Sequence, residues 1–235
     1  MTSRPARPRG ETDNRQRLLH SARALFIRHP YHQVALRQVA REAGVDAALI
    51  RYYSGTKAGL LEAVLRDVIE PALQGFRKTM LSKTMPGNNL PRDITEHQAA
   101  DSIDTMIGIY YRSVIGPDPD MPRLIARLLS DPQNEEPFRV ASQVFMQVIN
   151  TSRRWVNEVL TVNGRLQPGT DPEVARLSFF SLMMFPFIAP PMMVEHFGFR
   201  PTPELLSRLG RHNSRVLTHG LLNPDNPPTE TRHSL

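Results

Sequence analysis

The sequence predicts an all-α protein: an N-terminal three-helix helix-turn-helix domain and a C-terminal helical domain, about nine helices in total. Three observations carry this reading. Apolar residues recur at helical spacing from Leu18 onward. Gly44 stands directly after one short amphipathic run and just ahead of another. Prolines and glycines cut the remainder into helix-length segments.

Met1 to Gly10 is rich in Pro and Arg and has no periodicity, so residues 1–12 read as a disordered basic arm. Arg4, Arg7 and Arg9 suit a DNA minor groove, and they suit a solubilising tail equally well. Helix one runs from Asp13, placed as its cap, to Arg28 and buries Leu18, Leu19, Ala22, Leu25 and Phe26. Pro30 ends it.

In the next stretch Leu36, Val39, Ala40 and Ala43 make one apolar stripe, opposite Arg37, Gln38, Arg41 and Glu42. Gly44 follows, where a helix end needs the left-handed backbone that glycine adopts without steric cost. Asp46 is then a capping carboxylate for a second helix from Ala47 to Tyr53. Leu49 and Ile50 pack back on the first helix, the small Ala47 and Ala48 permit close approach to a groove, and Arg51 and Tyr52 point outward. In a helix-turn-helix the second helix enters the DNA major groove, where an outward Arg takes two hydrogen bonds to guanine. Arg51 is therefore assigned to base reading, with Ala47, Ala48 and Tyr52 beside it, and Arg37, Tyr53 and Lys57 to flanking phosphates. Singly, each reads equally well as a packing residue or a solvated charge. Together, at this spacing and around a glycine turn, they favour double-stranded DNA as partner.

A connecting helix over residues 58–81 buries Leu61, Val64, Leu65 and Val68, with Pro71 expected to kink or break it. The stretch from Ser82 to Arg92, with Pro86, Gly87, Asn88, Asn89 and Pro91, is a loop, so residues 13–57 form the DNA-binding domain and 82–222 the C-terminal one. Helices are expected from Glu96 to Ile115, Arg123 to Leu129 and Glu135 to Val162, and another starts at Asp171-Pro172 with Pro at its first position. Leu177 to Val194 holds no charged residue, but Pro186, Pro190 and Pro191 argue against a membrane span. So apolar a run buries one face on its own core and one on a partner, and with a closing helix from Pro203 to Leu221 it predicts a homodimer through the last two helices. Residues 223–235 form a polar, proline-rich tail.

With 235 residues the chain is long enough for a sizeable core. It has no cysteine, which excludes a disulfide framework and a thiolate metal site, and the N-terminus lacks the apolar run of a signal peptide. The expected location is cytoplasmic. Residues 1–60 carry eleven Arg or Lys against four Asp or Glu, a net of +7, whereas residues 61–235 carry eighteen against nineteen, a net of −1. The whole formal charge of +6 thus comes from the helix-turn-helix end, as a phosphate-binding face requires.

From about Arg15 to Leu65 the chain resembles the N-terminal domain of TetR/AcrR-type transcriptional regulators. The resemblance lies in the Ala-x-x-Leu-Phe-type run from Ala22 to Phe26, the Ala-Leu-Ile-Arg-Tyr-Tyr recognition helix, the Gly-x-Lys at Gly55 to Lys57, and Leu60 and Leu61 after it. It implies an all-helical homodimer that represses transcription and releases DNA when a small molecule binds the C-terminal domain, with the connecting helix as the lever. Two departures stand out: Val34 where the family usually has a capping, phosphate-touching threonine, and Ser54 where a phenylalanine anchors the recognition helix. They predict a missing cap and a looser helix end, or a compensating contact from Tyr53.

The resemblance also implies a pocket within the C-terminal helices, for which Met106, Tyr110, Trp155, Met183, Met184 and Phe187 offer aromatic and thioether surface. Each of the six is at least as readily plain core. With no buried charge to single out, a largely apolar effector is expected. Nothing supports catalysis: there is no Gly-rich phosphate loop or nucleophile elbow, and His29-x-x-His32 is a weak metal spacing, so no cofactor and no metal are expected. Three readings stand at this point. They are a ligand-responsive dimeric repressor on a palindromic operator, a DNA-binding regulator with no small-molecule ligand, and a helical enzyme or lipid-binding module whose basic end is incidental.

Overall fold

The computed structural model describes residues 9–82, 96–116 and 118–223. Within them lie ten α-helices: α1 (Arg9–Arg28), α2 (Leu36–Ala43), α3 (Ala48–Ser54), α4 (Lys57–Ser82), α5 (Glu96–Ile109), α6 (Met121–Leu129), α7 (Glu135–Trp155), α8 (Pro172–Ile188), α9 (Pro191–His196) and α10 (Pro203–Leu221). Among the described residues the only β pairing is an isolated bridge between Leu166 and Leu222. The chain is all-α, as its periodicity requires. The residues of the basic arm before Arg9, the loop at 83–95 and the tail from 224 lie outside the described residues.

Several boundaries differ from the sequence reading. α1 starts at Arg9, so Asp13 is inside the helix rather than capping it, and its carboxylate lies 4.0 Å from Arg17 one turn on. α4 runs unbroken through Pro71. Two helices end in π-helical turns, Tyr110–Ile115 after α5 and Val156–Thr161 after α7, where amides reach back five residues, as from Gly116 to the Tyr111 carbonyl at 2.8 Å. At Gly116 a Cβ would stand 2.9 Å from the Arg112 carbonyl oxygen, so the turn needs a residue without a side chain. The apolar run at 177–194 is divided at Ala189 and Pro190 into the end of α8 and the short α9. No helix among the described residues is long and apolar enough to cross a membrane.

The chain folds as two compact units, residues 1–68 with 123–145, and residues 69–122 with 146–235. The first therefore takes in α6 and the first half of α7, which the sequence reading assigned to the C-terminal domain. Two long-range ties explain this. The Arg127 guanidinium of α6 donates to the carbonyls of Phe26, Ile27 (3.4 Å) and His29 (3.3 Å), capping α1 where its last carbonyls have no helical partner. The Tyr31 hydroxyl donates to Glu136 Oε2 at 2.7 Å. The core of this unit is the stripe predicted from helix one, all at 5 % exposure or less, with Val39, Ile50, Leu61, Val64 and Leu65.

In the second unit α5 packs along α10, and Trp155 joins three helices: its Nε1 donates to Ser102 Oγ of α5 at 2.8 Å, and its ring lies 5.7 Å from that of Phe179 on α8. Asn213 of α10 donates to the Tyr111 hydroxyl at 2.9 Å and to the Leu182 carbonyl at 3.0 Å. Asp171 caps α8 through the Glu173 amide at 2.7 Å, with Pro172 at the first helical position, as expected.

Candidate nucleic-acid interface

α2 ends at Gly44, whose φ of 62° is the left-handed geometry the turn requires. The turn is held from outside by Arg17 of α1, which donates to the Gly44 carbonyl at 3.1 Å. Asp46 accepts the Ala48 amide at 2.7 Å and so satisfies one open donor at the start of α3. Ile50 points inward at 1 % exposure. The rest of α3 turns outward: Ala47, Ala48 and Arg51 are exposed, and Tyr52 is 70 % exposed although it is a large aromatic. The ring is thus free to meet a partner at the outer face of α3.

Tyr53 is half-buried and meets Tyr52 edge to face with ring centroids 5.1 Å apart, which sets the orientation of the exposed ring. Arg37 is exposed on the outer face of α2. Lys57 is less free than a phosphate donor would be, since its Nζ lies 4.4 Å from the Tyr31 ring centroid. Burial pushes its pKa down, and the Glu136 carboxylate partly offsets this. Burial first, and then the same carboxylate, push the Tyr31 hydroxyl far up, so it donates at any ordinary pH. The seven residues assigned to DNA thus fall on α3 and its two flanks.

The two departures stand at the two ends of the α2–α3 pair. Val34 is buried, and Ala35, directly ahead of α2, offers no side-chain cap. At the other end, Ser54 closes α3 and Gly55 follows at φ 68°. The chain then restarts through Thr56, whose Oγ1 accepts the Gly59 amide at 3.0 Å and caps α4. The sequence reading missed this cap, although a threonine directly ahead of a periodic run is a readable signal. The Ser54 carbonyl oxygen occupies the space a Cβ on Gly59 would need, only 2.0 Å away. Gly59→Ala is expected to destabilise the first unit by about 1–3 kcal/mol from overpacking, despite alanine's better helix propensity. A denaturation titration on the two proteins measures this. An equal or raised midpoint would show that the junction of α3 and α4 yields freely.

Four of the six residues offered for an effector are packed in the interior. Met106, Trp155, Met183 and Phe187 are buried at 4 % exposure or less. Tyr110 and Met184 meet at 2.8 Å from hydroxyl to Sδ, and burial pushes the Tyr110 hydroxyl well up. A cavity of about 680 Å³ instead lies between α5 and α10, lined by none of the six.

Residues 18–64 match the model of the tetR family of bacterial regulatory proteins. No curated protein matches the chain by sequence. Among solved structures, the chain is similar to the fatty acid degradation regulator FadR of Bacillus halodurans at 16 % identity and TM-score 0.65, covering 88 % of this chain and 98 % of that one. It is similar to the transcriptional regulator FadR of Bacillus subtilis in complex with stearoyl-CoA at 16 % identity and TM-score 0.63, covering 87 % and 98 %. A third is the triclosan complex of SmeT, the repressor of a multidrug efflux pump in Stenotrophomonas maltophilia, at 18 % identity and TM-score 0.64, covering 94 % and 98 %. Residues 18–64 are therefore similar to the tetR family of bacterial regulatory proteins, and the chain around them has the all-helical fold of these solved regulators.

Proposed function

We propose that the protein is a sequence-specific transcriptional repressor that binds a palindromic operator as a homodimer and leaves it when a small, largely apolar molecule binds the second unit. The observation that carries this is the outward face of α3, where Arg51 and Tyr52 stand exposed on a helix anchored by Ile50 within a tetR-family match. Arg51 reads a base, Ala47 and Ala48 let the helix enter the groove, and Arg37, Tyr53 and Lys57 set register on phosphates. The net +7 over residues 1–60 supplies the sequence-independent attraction.

Dimerisation is assigned to α8 and α10. Val174, Leu177, Phe185 and Ile188 follow helical spacing along one side of α8 and are 39–66 % exposed, and Val216 on α10 is 44 % exposed. So much solvated apolar surface along one helix is characteristic of an interface. Stearoyl-CoA and triclosan in the similar structures support a small-molecule effector here. Proteins of this kind work in the cytoplasm.

The test is selection of sheared genomic fragments on the purified protein, with enriched fragments titrated across salt concentration. One palindromic motif with steeply salt-dependent affinity is the expected result, and no enrichment from well-folded protein at any salt refutes the reading. On the selected operator, Arg51→Ala is expected to lose about 1–3 kcal/mol and to relax preference at one base position of each half-site. A uniform loss across all sequences would reassign Arg51 to phosphate.

A further inference from the structure

The cavity between α5 and α10 has a distinct chemistry. Its floor is apolar, built by Ile107, Tyr111 and Leu206, all buried below 9 % exposure. Its cations are Arg112, in the π turn, and Arg211, in the middle of α10. Neither guanidinium forms an ion pair among the described residues, and Arg211 only donates to Ser207 Oγ at 2.8 Å. The Arg112 guanidinium lies back over Gly108, where a Cβ would stand 2.9 Å from Nη1, so the helix leaves space for it on the groove side. Two cations lining one groove repel each other unless a counter-anion lies between them.

The groove also has direction. Asp104 lines it two turns before Arg112, roughly 12 Å away along the helix. Its carboxylate is engaged by the Ser214 hydroxyl of α10. One end therefore repels an anion while the arginines attract one, which selects a ligand with a single anionic group. The volume, about 680 Å³, is within the range of roughly 300–1,000 Å³ that holds small organic ligands.

We propose that this groove binds a carboxylate-headed amphiphile, with Arg112 and Arg211 holding the carboxylate and Ile107, Tyr111 and Leu206 covering the apolar body. The planar guanidinium offers paired N–H donors that match both carboxylate oxygens, and the π turn places it next to the apolar floor. That such a molecule is the effector rests on the regulator reading above; the site itself does not.

The test is calorimetric titration of the full chain with two acids, decanoate and naphthylacetate, each beside its uncharged primary amide. At least one acid is expected to bind roughly tenfold to a hundredfold tighter than its amide, the usual worth of charge-assisted hydrogen bonds. The R112Q/R211Q double variant removes that preference, whereas Arg208→Gln, an exposed α10 residue outside the groove lining, retains it. Unchanged melting of the double variant separates lost binding from lost folding. No binding by either acid, equal binding of acid and amide, or a preference that survives R112Q/R211Q overturns the proposal. Operator binding is followed separately. Acid binding without release of DNA leaves the groove standing and removes its role as effector site, while failure to bind any DNA refutes the regulator reading alone.

Discussion

Replacing Trp155 by alanine is expected to lower the stability of the second unit by about 3–5 kcal/mol, the range for large aromatic truncations in a core. The side chain is 2 % exposed and touches three helices at once. Its removal opens a void bordered by Phe179 and leaves the buried Ser102 hydroxyl without the indole N–H, which a contracting core does not replace. Trp155→Phe separates the two effects: most ring contacts remain, and a loss nearer 1 kcal/mol reports the hydrogen bond. Trp155 is the chain's single tryptophan, so circular dichroism rather than fluorescence follows both variants through denaturation. Equal stability of the alanine variant would mean that α5, α7 and α8 are held together elsewhere.

The second large effect is expected at the proposed dimer face. Leu177 and Phe185 are 66 % and 50 % exposed, so glutamate at both positions costs little in an isolated chain. In a dimer the same change buries two unpaired carboxylates per subunit, at several kcal/mol. The double variant is expected to sediment as a monomer with its helical content intact. Operator affinity then falls by about 10²–10⁴, because the second half-site is no longer presented at high effective concentration. A variant that remains dimeric and retains its operator affinity would place the interface on another surface.

What was legible in the sequence was local. Gly44, Asp46 and the stripe from Leu36 to Ala43 each act within a turn or two of chain, and the helix-turn-helix follows from them. Core positions of α1 and α4 were equally plain, since burial follows the 3.6-residue period. The ties through Arg127 and Glu136 were not legible, because they join residues about a hundred positions apart and neither has a local signature. The π turns were missed for a related reason: a helix that gains one residue in a turn has the same composition as one that does not. That omission hid the groove, since Arg112 reads as an ordinary surface charge until the π turn and Gly108 are known. Met106, Trp155, Met183 and Phe187 are aromatic or soft residues, a character that fits a ligand wall and a close-packed core alike; all four are buried.

The Arg127 clamp also limits how the reading head can be transplanted. A fragment ending at Val68 would retain α1 to α3 but lose the guanidinium that closes the carbonyls of Phe26, Ile27 and His29, and the carboxylate that holds Tyr31. The portable module is two pieces of sequence, 1–68 and 123–145, and they are not adjacent in the gene. A chimaera meant to carry this operator preference into another regulator needs α6 and the start of α7 as well as the helix-turn-helix. Recombination at a single crossover cannot deliver both without everything between them.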